Sequence, residues 1–408
     1  MLKDSVSSSP AFVLDEVEVT QALEILANLR KQCGCKVLYS IKALPLCSVM
    51  EMAKTLVDGF SVSSLFEARL ADEVLAGEGS IHLTTPGIRL DELDELSSLC
   101  SHISFNSLSQ YQRFSGLAKA QASIGLRLNP KLSFVHDDRF DPCRQYSKLG
   151  VDIDELLRSA CLGQIEGLHV HNVFSATDFK PLIKTVEKLR SHCLQNVGKG
   201  REHDCMDAGG RAMHGAIAEE RKLLGKGLAR LKWLNLGGGY LFNQIEDRRP
   251  FIDLVNKLRK DFSLEVYIEP GKAVVGRAGH LMATVLDSFI SDGKAIAILD
   301  TSVNHNPEVF EYQRQPELHE HDPNGQYAAV LVGCTCLAGD VFGEYRFKEP
   351  LVVGGRVIFK NVGAYSLIKA NRFNGYNLPD IYVSDSDRLK KLKHYSYQDY
   401  RQQWRADL

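Results

Sequence analysis

The chain has 408 residues, of which 44% are hydrophobic and 25% are charged, and its formal net charge at pH 7 is -2. This length exceeds one ordinary compact domain, and the balanced charge argues against a nucleic-acid partner or a membrane-surface role. No run approaches the ~20 apolar residues of a membrane span, and the ten cysteines show no CxxC or zinc spacing. The composition predicts a soluble, cytoplasmic protein with reduced thiols.

Between residues 37 and 273, short β-prone runs alternate with amphipathic segments. We predict strands in the runs VLYSIKA, FSVSS, SIHLTTPG, HISFNS, SIGLRLNP, EGLHVHNV, WLNLGGG and EVYIEPGKA. Apolar residues three and four positions apart predict helices in SVMEMAKTL, LFEARLADEVL, DIDELLRSA and FIDLVNKLRKDF. Eight such units predict an α/β fold, a (β/α)8 TIM-type barrel rather than an open sheet.

The segment from Arg190 to Leu231 interrupts this pattern. It is polar, rich in Gly and His, and too long for a typical connecting loop, so we interpret it as an insertion on the barrel. Its His203, Cys205 and His214 have a spacing that matches no common metal site. Solvated loop side chains are therefore the favoured interpretation, and no metal is expected.

After Ala273 the sequence is mostly β-prone. We predict strands in HLMATVLDSFI, AIAILDTS, YAAVLVG, PLVVGGRVIFKNV and DIYVSDS, with little that is helical between them. The predicted organisation is an N-terminal segment over 1–30, the barrel over 31–275 with the insertion near 190–231, and a β domain over 276–408.

Several polar residues stand where the predicted barrel strands end, which is where barrel enzymes place their chemistry. Lys42 closes the first strand, Arg127 lies in the fifth, His171 ends the sixth, Gly237, Gly238 and Gly239 follow the seventh, and Glu269 ends the eighth. The apolar layering of a barrel interior explains none of these residues.

The types of these residues fit one cofactor. A lysine among apolar neighbours has a lowered pKa, and its neutral amine can form a Schiff base with an aldehyde such as that of pyridoxal phosphate. Consecutive glycines let backbone N–H groups approach a phosphate, and Glu269 could keep a pyridine nitrogen protonated. Taken singly, a snorkelling lysine, an ordinary turn and a structural acid are the more common interpretations. Their coincidence at one barrel face, together with an aromatic stacking partner in His171, favours a pyridoxal-phosphate site.

The chain resembles the fold type III pyridoxal-phosphate decarboxylases. The stretches that carry the resemblance are YSIKAL, DGFSVSSLFEARLA, RLNP followed by DPCRQYSKLG, GLHVHN, WLNLGGG, IEPG, ILDTSVNHNPEV, CTCLAGDVFGEYRF and VGAYSLIKANRFNG. This group includes ornithine and diaminopimelate decarboxylases, and CLAGDVFG and FNG are typical of its carboxynorspermidine/carboxyspermidine decarboxylase family. The resemblance implies an alanine racemase-like barrel plus a C-terminal, mostly-β domain that also takes in the N-terminal strand.

The resemblance also implies roles for individual residues. Lys42 would be the covalent anchor of the cofactor, His171 would stack on its ring, and Glu269 would pair with its pyridine nitrogen. The remaining implied cofactor ligands are Arg127, Gly237, Gly238, Gly239 and Tyr365. Cys336 and Asp340, in TCLAGD, would complete the active site of a second subunit in a homodimer. Cys336 would influence protonation after CO2 leaves, and Asp340 would meet a substrate amine.

Two departures from the family pattern concern the substrate. The family motif EPGE reads EPGK here, so that Lys272 stands where an acid is expected near a polyamine, and the Cys-Glu that usually follows His-Asn is absent from NVFSATDF. Glu308, in NHNPEV, keeps an acid at the other polyamine position. The sequence thus predicts decarboxylation of carboxynorspermidine, carboxyspermidine or a related amino acid in polyamine biosynthesis. Alternatives are a less cationic or carboxylate-bearing substrate in specialised metabolism, and a non-catalytic cofactor-binding relative. Racemase activity is disfavoured because Glu269 replaces the arginine expected in racemases.

Overall fold

A computed structural model describes residues 2–118, 121–158, 165–191, 231–386 and 388–405. The chain divides into two compact units, residues 22–273 and residues 1–21 with 274–408. The division into segments 1–30, 31–275 and 276–408, which the sequence suggests, stays a prediction. The sequence starts with α1 (Leu2–Ser5), β1 (Ala11–Asp15) and the long helix α2 (Glu16–Cys33).

In its described residues, the unit of residues 22–273 contains nine parallel strands. They are β2 (Lys36–Ser40), β3 (Gly59–Val62), β4 (Ser80–Thr84), β5 (His102–Phe105), β6 (Ser123–Asn129), the two-residue β7 (Val151–Asp152), β8 (Gly167–Val170), β9 (Trp233–Asn235) and β10 (Glu265–Ile268). All except β7 form a closed ring in the order β5-β4-β3-β2-β10-β9-β8-β6, which a β5–β6 pairing completes. The predicted barrel and its eight strands are confirmed.

Helices follow most of these strands. They are α3 (Cys47–Lys54), α4 (Leu65–Leu75), α5 (Leu93–Leu99), α6 (Leu108–Ala118), α7 (Ile153–Arg158), α8 (Lys180–Leu189) and α9 (Arg249–Phe262). Helix α4 shows why such a sequence is helical. The Ser64 hydroxyl caps its N-terminus by accepting the Glu67 N–H, and its apolar residues recur on one buried face.

The barrel interior is filled partly by one large side chain. Trp233 on β9 lies across Gly125 and Gly167, where a Cβ atom would come within 2.3 Å and 1.9 Å of the indole. Its Nε1 donates a hydrogen bond to Ser123 Oγ at 2.9 Å. Glycine is therefore required on β6 and β8 because the indole occupies the space of two side chains.

The second unit is built on a mixed sheet. After the short α10 (Lys272–Val275), its strands are β11 (Gly279–Ser291), β12 (Lys294–Leu299), β13 (Tyr327–Val332), β14 (Val341–Phe347), β15 (Arg356–Phe359), β16 (Asp380–Asp385) and β17 (Arg388–Lys393), with helices α11 (Glu308–Tyr312) and α12 (Tyr397–Gln402). The sheet order is β14-β13-β12-β11-β1-β16-β17, with β15 also paired to β11. The N-terminal strand β1 therefore joins the C-terminal sheet, as the resemblance implies.

Two details differ from the sequence-based expectation. Strand β2 ends at Ser40, and Lys42 lies in a 3-10 turn, Ile41–Ala43, instead of closing the strand. Strands β14 and β17 were not predicted.

Most of the predicted insertion, including His203, Cys205 and His214, lies outside the described residues. In the described parts of the chain, no helix is long and apolar enough to cross a membrane.

Candidate active site

The barrel unit brings the predicted polar residues to the carboxyl ends of its strands. Lys42 follows β2, Arg127 lies in β6, His171 follows β8, the three glycines follow β9, and Glu269 follows β10. Lys42, Arg127 and Glu269 each shift the pKa of another member of this group, and all three act on His171. The structure therefore gathers them into one site.

Lys42 is exposed to solvent along its side chain, yet many protein atoms lie around its ammonium group. Desolvation lowers its pKa, and the positive charge of Arg127 acts in the same direction. The carboxylates of Glu269 and Glu67 oppose this shift. The balance favours a larger fraction of neutral, nucleophilic amine than an exposed lysine has at the same pH.

Glu269 is buried, and both of its carboxylate oxygens have partners. Oε2 lies 3.2 Å from Nε2 of His169, and Oε1 accepts a hydrogen bond from Nδ2 of Asn235 at 2.8 Å. Burial by itself raises the pKa of Glu269, but His169, Lys42 and Asn235 together outweigh it and hold the pKa well below its usual range. Glu269 is thus a carboxylate at neutral pH.

His171 is held by the glycine turn. Its Nδ1 accepts the N–H of Gly238 at 3.0 Å. Burial, followed by the charges of Lys42 and Arg127, lowers the pKa of His171 well below the ordinary value. A neutral ring whose Nδ1 is an acceptor carries its proton on Nε2.

The glycine turn packs against neighbouring strand ends. A Cβ atom would lie 2.5 Å from the Val170 oxygen at Gly237, 2.3 Å from the Glu269 oxygen at Gly238 and 2.4 Å from the Val173 oxygen at Gly239. The N–H of Gly237 donates to Asn235 Oδ1 and that of Gly238 to His171. Among the described residues, only the Gly239 N–H of this turn has no partner, so it can donate to a ligand.

Lys272 is half-buried, and its ammonium lies 5.5 Å from the centroid of the Phe174 ring. Phe174 in turn stacks on Phe140, with centroids 5.3 Å apart. No carboxylate of the described residues lies within ion-pair distance of Lys272. The segments after β6, β8 and β10 therefore bring two aromatic rings together with a cation that has no ion pair among the described residues.

The other predicted residues belong to the second unit. Glu308 lies beside Tyr312 and Tyr365, and burial followed by the charge of Glu308 raises the pKa of Tyr365 to about 12. Cys336 is exposed, and its backbone N–H donates to Asn374 Oδ1 at 2.8 Å.

Asp340 is 3% exposed, and both of its oxygens are bonded within the unit. Oδ1 accepts the Val303 N–H at 2.8 Å, and Oδ2 accepts the N–H and the hydroxyl of Thr335 at 3.2 Å and 2.5 Å. In this structure Asp340 therefore ties the turn that carries Cys336 to the loop after β12.

Sequence reasoning missed His169, Asn235 and Glu67. His169 and Asn235 stand two residues before His171 and Gly237, so the two-residue period of a strand puts each pair on one face. Glu67 stands three residues after the cap Ser64, and its Oε2 accepts the Ser63 N–H at 2.7 Å. The periodicity of the strands was the available signal for the first two.

This set of groups fits pyridoxal phosphate. The partly neutral amine of Lys42 matches an aldehyde, and the oriented, neutral imidazole of His171 matches an aromatic ring. The ionised, buried Glu269 matches a pyridine nitrogen, and the free N–H of Gly239 matches a phosphate. No group of His, Cys, Asp and Glu side chains in the described residues is arranged to hold a metal ion. The fold and the site together define a barrel enzyme of the pyridoxal-phosphate class.

Comparison with known proteins agrees with this class. The family described as "Pyridoxal-dependent decarboxylase, C-terminal sheet domain" matches residues 11–363. The carboxynorspermidine/carboxyspermidine decarboxylase of Campylobacter jejuni is 31% identical over 96% of this chain and 97% of its own length. The carboxyaminopropylagmatine decarboxylase of Synechocystis sp. is 32% identical over 96% and 94%. A crystal structure of the Campylobacter jejuni carboxynorspermidine decarboxylase with norspermidine superposes with a TM-score of 0.82 and 28% identity, covering 98% of this chain and 100% of that one.

The chain therefore belongs to the pyridoxal-dependent decarboxylases, in the family of the carboxynorspermidine/carboxyspermidine decarboxylases. It is an enzyme, a carboxy-lyase, and its cofactor is pyridoxal phosphate.

Proposed function

We propose that this enzyme removes the α-carboxylate of carboxynorspermidine or carboxyspermidine in polyamine biosynthesis. The observation that carries the proposal is the likeness, over nearly the full length of both chains, to a decarboxylase crystallised with norspermidine. A relative of similar identity is a carboxyaminopropylagmatine decarboxylase, so carboxyaminopropylagmatine is the next candidate substrate.

The proposed roles of the barrel residues follow from their chemistry. Lys42 would attach the cofactor, and His171, Arg127 and the glycine turn would hold it. The resemblance adds Tyr365, which is not a barrel residue, to these ligands. When bound, the cofactor supplies an electron sink for the pair left as CO2 departs. Glu269, as a buried carboxylate, would keep a proton on the pyridine nitrogen.

Lys272 supports a second candidate, a less cationic or carboxylate-bearing amino acid. The ammonium of Lys272 has no ion pair among the described residues and lies over an aromatic ring. Such a cation repels a substrate ammonium by about 1 kcal/mol at 4 Å even in a fully aqueous environment. Glu308 still offers a carboxylate to a polyamine ammonium, which supports the first candidate.

We further propose a cytoplasmic homodimer with shared active sites, in which Cys336 and Asp340 act on the site of the second subunit. Exposed apolar side chains on β11 and β14, namely Leu286, Ile290 and Val341, are compatible with such an interface. The hydrogen bonds of Asp340 support a further role, holding the Cys336 turn in place. Its contact with a substrate amine stays a proposal.

Mixing two inactive variants tests the shared site. Lys42→Ala and Cys336→Ala proteins, unfolded together and refolded, should recover about a quarter of the wild-type activity, because half of the dimers are mixed and each has one intact site. A fully active monomer, or no recovery in a sample shown to contain mixed dimers, would contradict the proposal.

The substrate is tested by CO2 release from purified holoenzyme. We would compare carboxynorspermidine, carboxyspermidine, carboxyaminopropylagmatine, meso-diaminopimelate and ornithine, and we expect the first two to have the highest kcat/KM. A higher value for meso-diaminopimelate would establish the second candidate. Activity on none of them, with the cofactor bound, would favour the non-catalytic alternative.

The role of Lys42 is tested separately. Borohydride should fix the cofactor to the peptide that contains Lys42, and Lys42→Ala should abolish both the fixation and the activity. Lys31→Ala, at an exposed lysine of α2, should change neither. Survival of the fixation in Lys42→Ala would refute the role of this lysine.

A further inference from the structure

The carboxylate of Glu269 is the centre of a continuous hydrogen-bonded chain inside the barrel. His169 and Asn235, both 1% exposed, each contact one of its oxygens. A buried carboxylate is costly unless it is paired and hydrogen-bonded. Neither partner follows from the family motifs, since the resemblance assigns a role to Glu269 and none to these two residues.

The barrel register explains how these side chains meet. His169 on β8 pairs with Arg127 on one side and with Asn235 on the other, and Asn235 also pairs with Tyr267. Arg127, His169 and Asn235 thus lie side by side on the adjacent strands β6, β8 and β9. Glu269 is two residues beyond Tyr267, which places its side chain on the same face of the sheet.

The direction of the hydrogen bonds follows from the donors. An ionised carboxylate only accepts, so Nε2 of His169 is the donor to Oε2. Its Nδ1 is buried and has no partner in the described parts of the chain. A protonated ring would bury an unpartnered N–H at that nitrogen, so the neutral tautomer with its proton on Nε2 is favoured. The charged groups that act on His169 are Glu269, Arg127 and Lys42, and His169 in turn acts on His82 and His171.

The chain extends from Asn235 to the glycine turn. Asn235 Oδ1 accepts the Gly237 N–H at 2.9 Å, and Gly237 O accepts the Glu269 N–H at 2.8 Å. The next N–H, that of Gly238, donates to His171. The two groups proposed to contact the cofactor ring, Glu269 and His171, are thus held by one set of bonds.

We propose that His169 and Asn235 are positioning residues, which keep Glu269 as a correctly oriented carboxylate and couple it to the ring of His171. The inference rests on the proposed role of Glu269 and adds the residues on which that role depends. His169 acts through its Nε2–H donor and Asn235 through both ends of its amide, so that removing either donor raises the pKa of Glu269 and leaves its carboxylate less firmly oriented.

The test compares two substitutions of one residue. In His169→Gln, the amide nitrogen can take the place of Nε2 as a donor, whereas His169→Leu has no donor. We expect His169→Leu to lower kcat by about 10- to 100-fold, with KM changed less than about threefold. His169→Gln should retain most of the activity. Asn235→Leu should resemble His169→Leu.

The readout beyond activity is the visible absorption of the bound cofactor as a function of pH. A more basic, less firmly oriented Glu269 should shift the midpoint of the spectral transition in His169→Leu relative to wild type, and His169→Gln should restore it. Val170→Ala controls for lost stability, because Val170 is buried in the same strand on the opposite face. It should lower the melting temperature without moving the midpoint.

An unchanged spectral midpoint in His169→Leu, or a Gln variant no better than the Leu variant, would overturn the inference. Glu269→Gln separates this failure from that of the proposed function. If Glu269→Gln shifts the spectrum while His169→Leu does not, only the positioning role is wrong. If Glu269→Gln leaves spectrum and activity unchanged, the proposed role of Glu269 is itself refuted.

Discussion

The backbone N–H of Gly238 donates a hydrogen bond to Nδ1 of His171 over 3.0 Å. This contact places the imidazole proton on Nε2 and fixes the ring plane relative to the glycine turn. Because burial and the charges of Lys42 and Arg127 lower the pKa of His171 well below the ordinary value, the ring stays neutral at physiological pH. The glycine turn therefore orients a side chain in addition to offering one free N–H.

Gly238→Ala should damage the site. Its Cβ would lie 2.3 Å from the backbone oxygen of Glu269, so either the turn or the end of β10 must move. We expect a loss of about 1–3 kcal/mol in the free energy of unfolding and a fall of at least about tenfold in kcat/KM. Urea unfolding and steady-state kinetics measure the two effects.

Gly116→Ala is the matched control. Gly116 lies within α6, and a Cβ there would meet nothing within 4 Å. This substitution should stabilise the protein by about 0.5–1 kcal/mol and leave the kinetics unchanged. A Gly238→Ala enzyme as stable and active as this control would contradict the proposed packing.

Gly167→Ala should disrupt the barrel interior. A Cβ at Gly167 would lie 1.9 Å from Cδ2 of Trp233, and the indole is held by its bond to Ser123. We expect a loss of about 1–3 kcal/mol or more for Gly167→Ala and about 3–5 kcal/mol for Trp233→Leu, by analogy with large-to-small aromatic substitutions.

The double variant tests the contact itself. Removing the indole frees the space that a Cβ needs, so Gly167→Ala should cost less in the Trp233→Leu background than in wild type. Guanidinium unfolding of all four proteins gives this coupling energy. Strictly additive losses would show that the two positions do not compete for the same space.

Much of the barrel could be predicted from the sequence, because each strand is a short β-prone run between amphipathic segments. The site residues at strand ends followed from the same pattern. Strand β14 was missed because its residues, VFGEYRF, were assigned only to a family motif, although they alternate between buried and exposed positions. Strand β17 was missed because its sequence, RLKKLK, is mostly charged, as expected at a sheet edge.

The partners of the site residues could not be predicted. The pairing of Glu269 with His169 joins positions a hundred residues apart, and it depends on the closure and register of the barrel. Likewise, nothing local in TCLAGD shows that the buried carboxylate of Asp340 accepts hydrogen bonds from the Val303 N–H and the Thr335 hydroxyl. Such contacts are set by tertiary structure rather than by local pattern.

Stability should fall at acidic pH because of buried neutral histidines. Burial, opposed by Asp340, lowers the pKa of His305 to about 4, whereas an unfolded histidine titrates near pH 6.5. Between these values the unfolded state binds a proton that the folded state does not. The free energy of unfolding should therefore decrease by about 1.4 kcal/mol per pH unit per such histidine as the pH falls through this window.

His305→Asn tests this effect. Asn can keep a hydrogen bond with Thr301, which now contacts Nδ1 of His305 at 3.0 Å, but it does not titrate. We expect a lower stability at pH 7 and a shallower decrease between pH 6.5 and about 4, measured by urea unfolding at several pH values. His136→Asn, at an exposed histidine, should keep the wild-type slope. An unchanged slope in His305→Asn would show that His305 does not contribute.

Lys272→Glu should reveal which substrate the enzyme has evolved to accept. The ammonium of Lys272 lies over Phe174 and has no ion pair in the described parts of the chain. If the enzyme has drifted away from a carboxy-polyamine substrate, replacing this cation by an acid should raise kcat/KM for carboxynorspermidine by about fivefold or more, equivalent to roughly 1 kcal/mol of removed repulsion. Lys31→Glu applies the same charge change on the exposed surface of α2 and should have little effect. A clear loss of carboxynorspermidine turnover in Lys272→Glu would refute the idea that the enzyme has drifted away from a polyamine substrate.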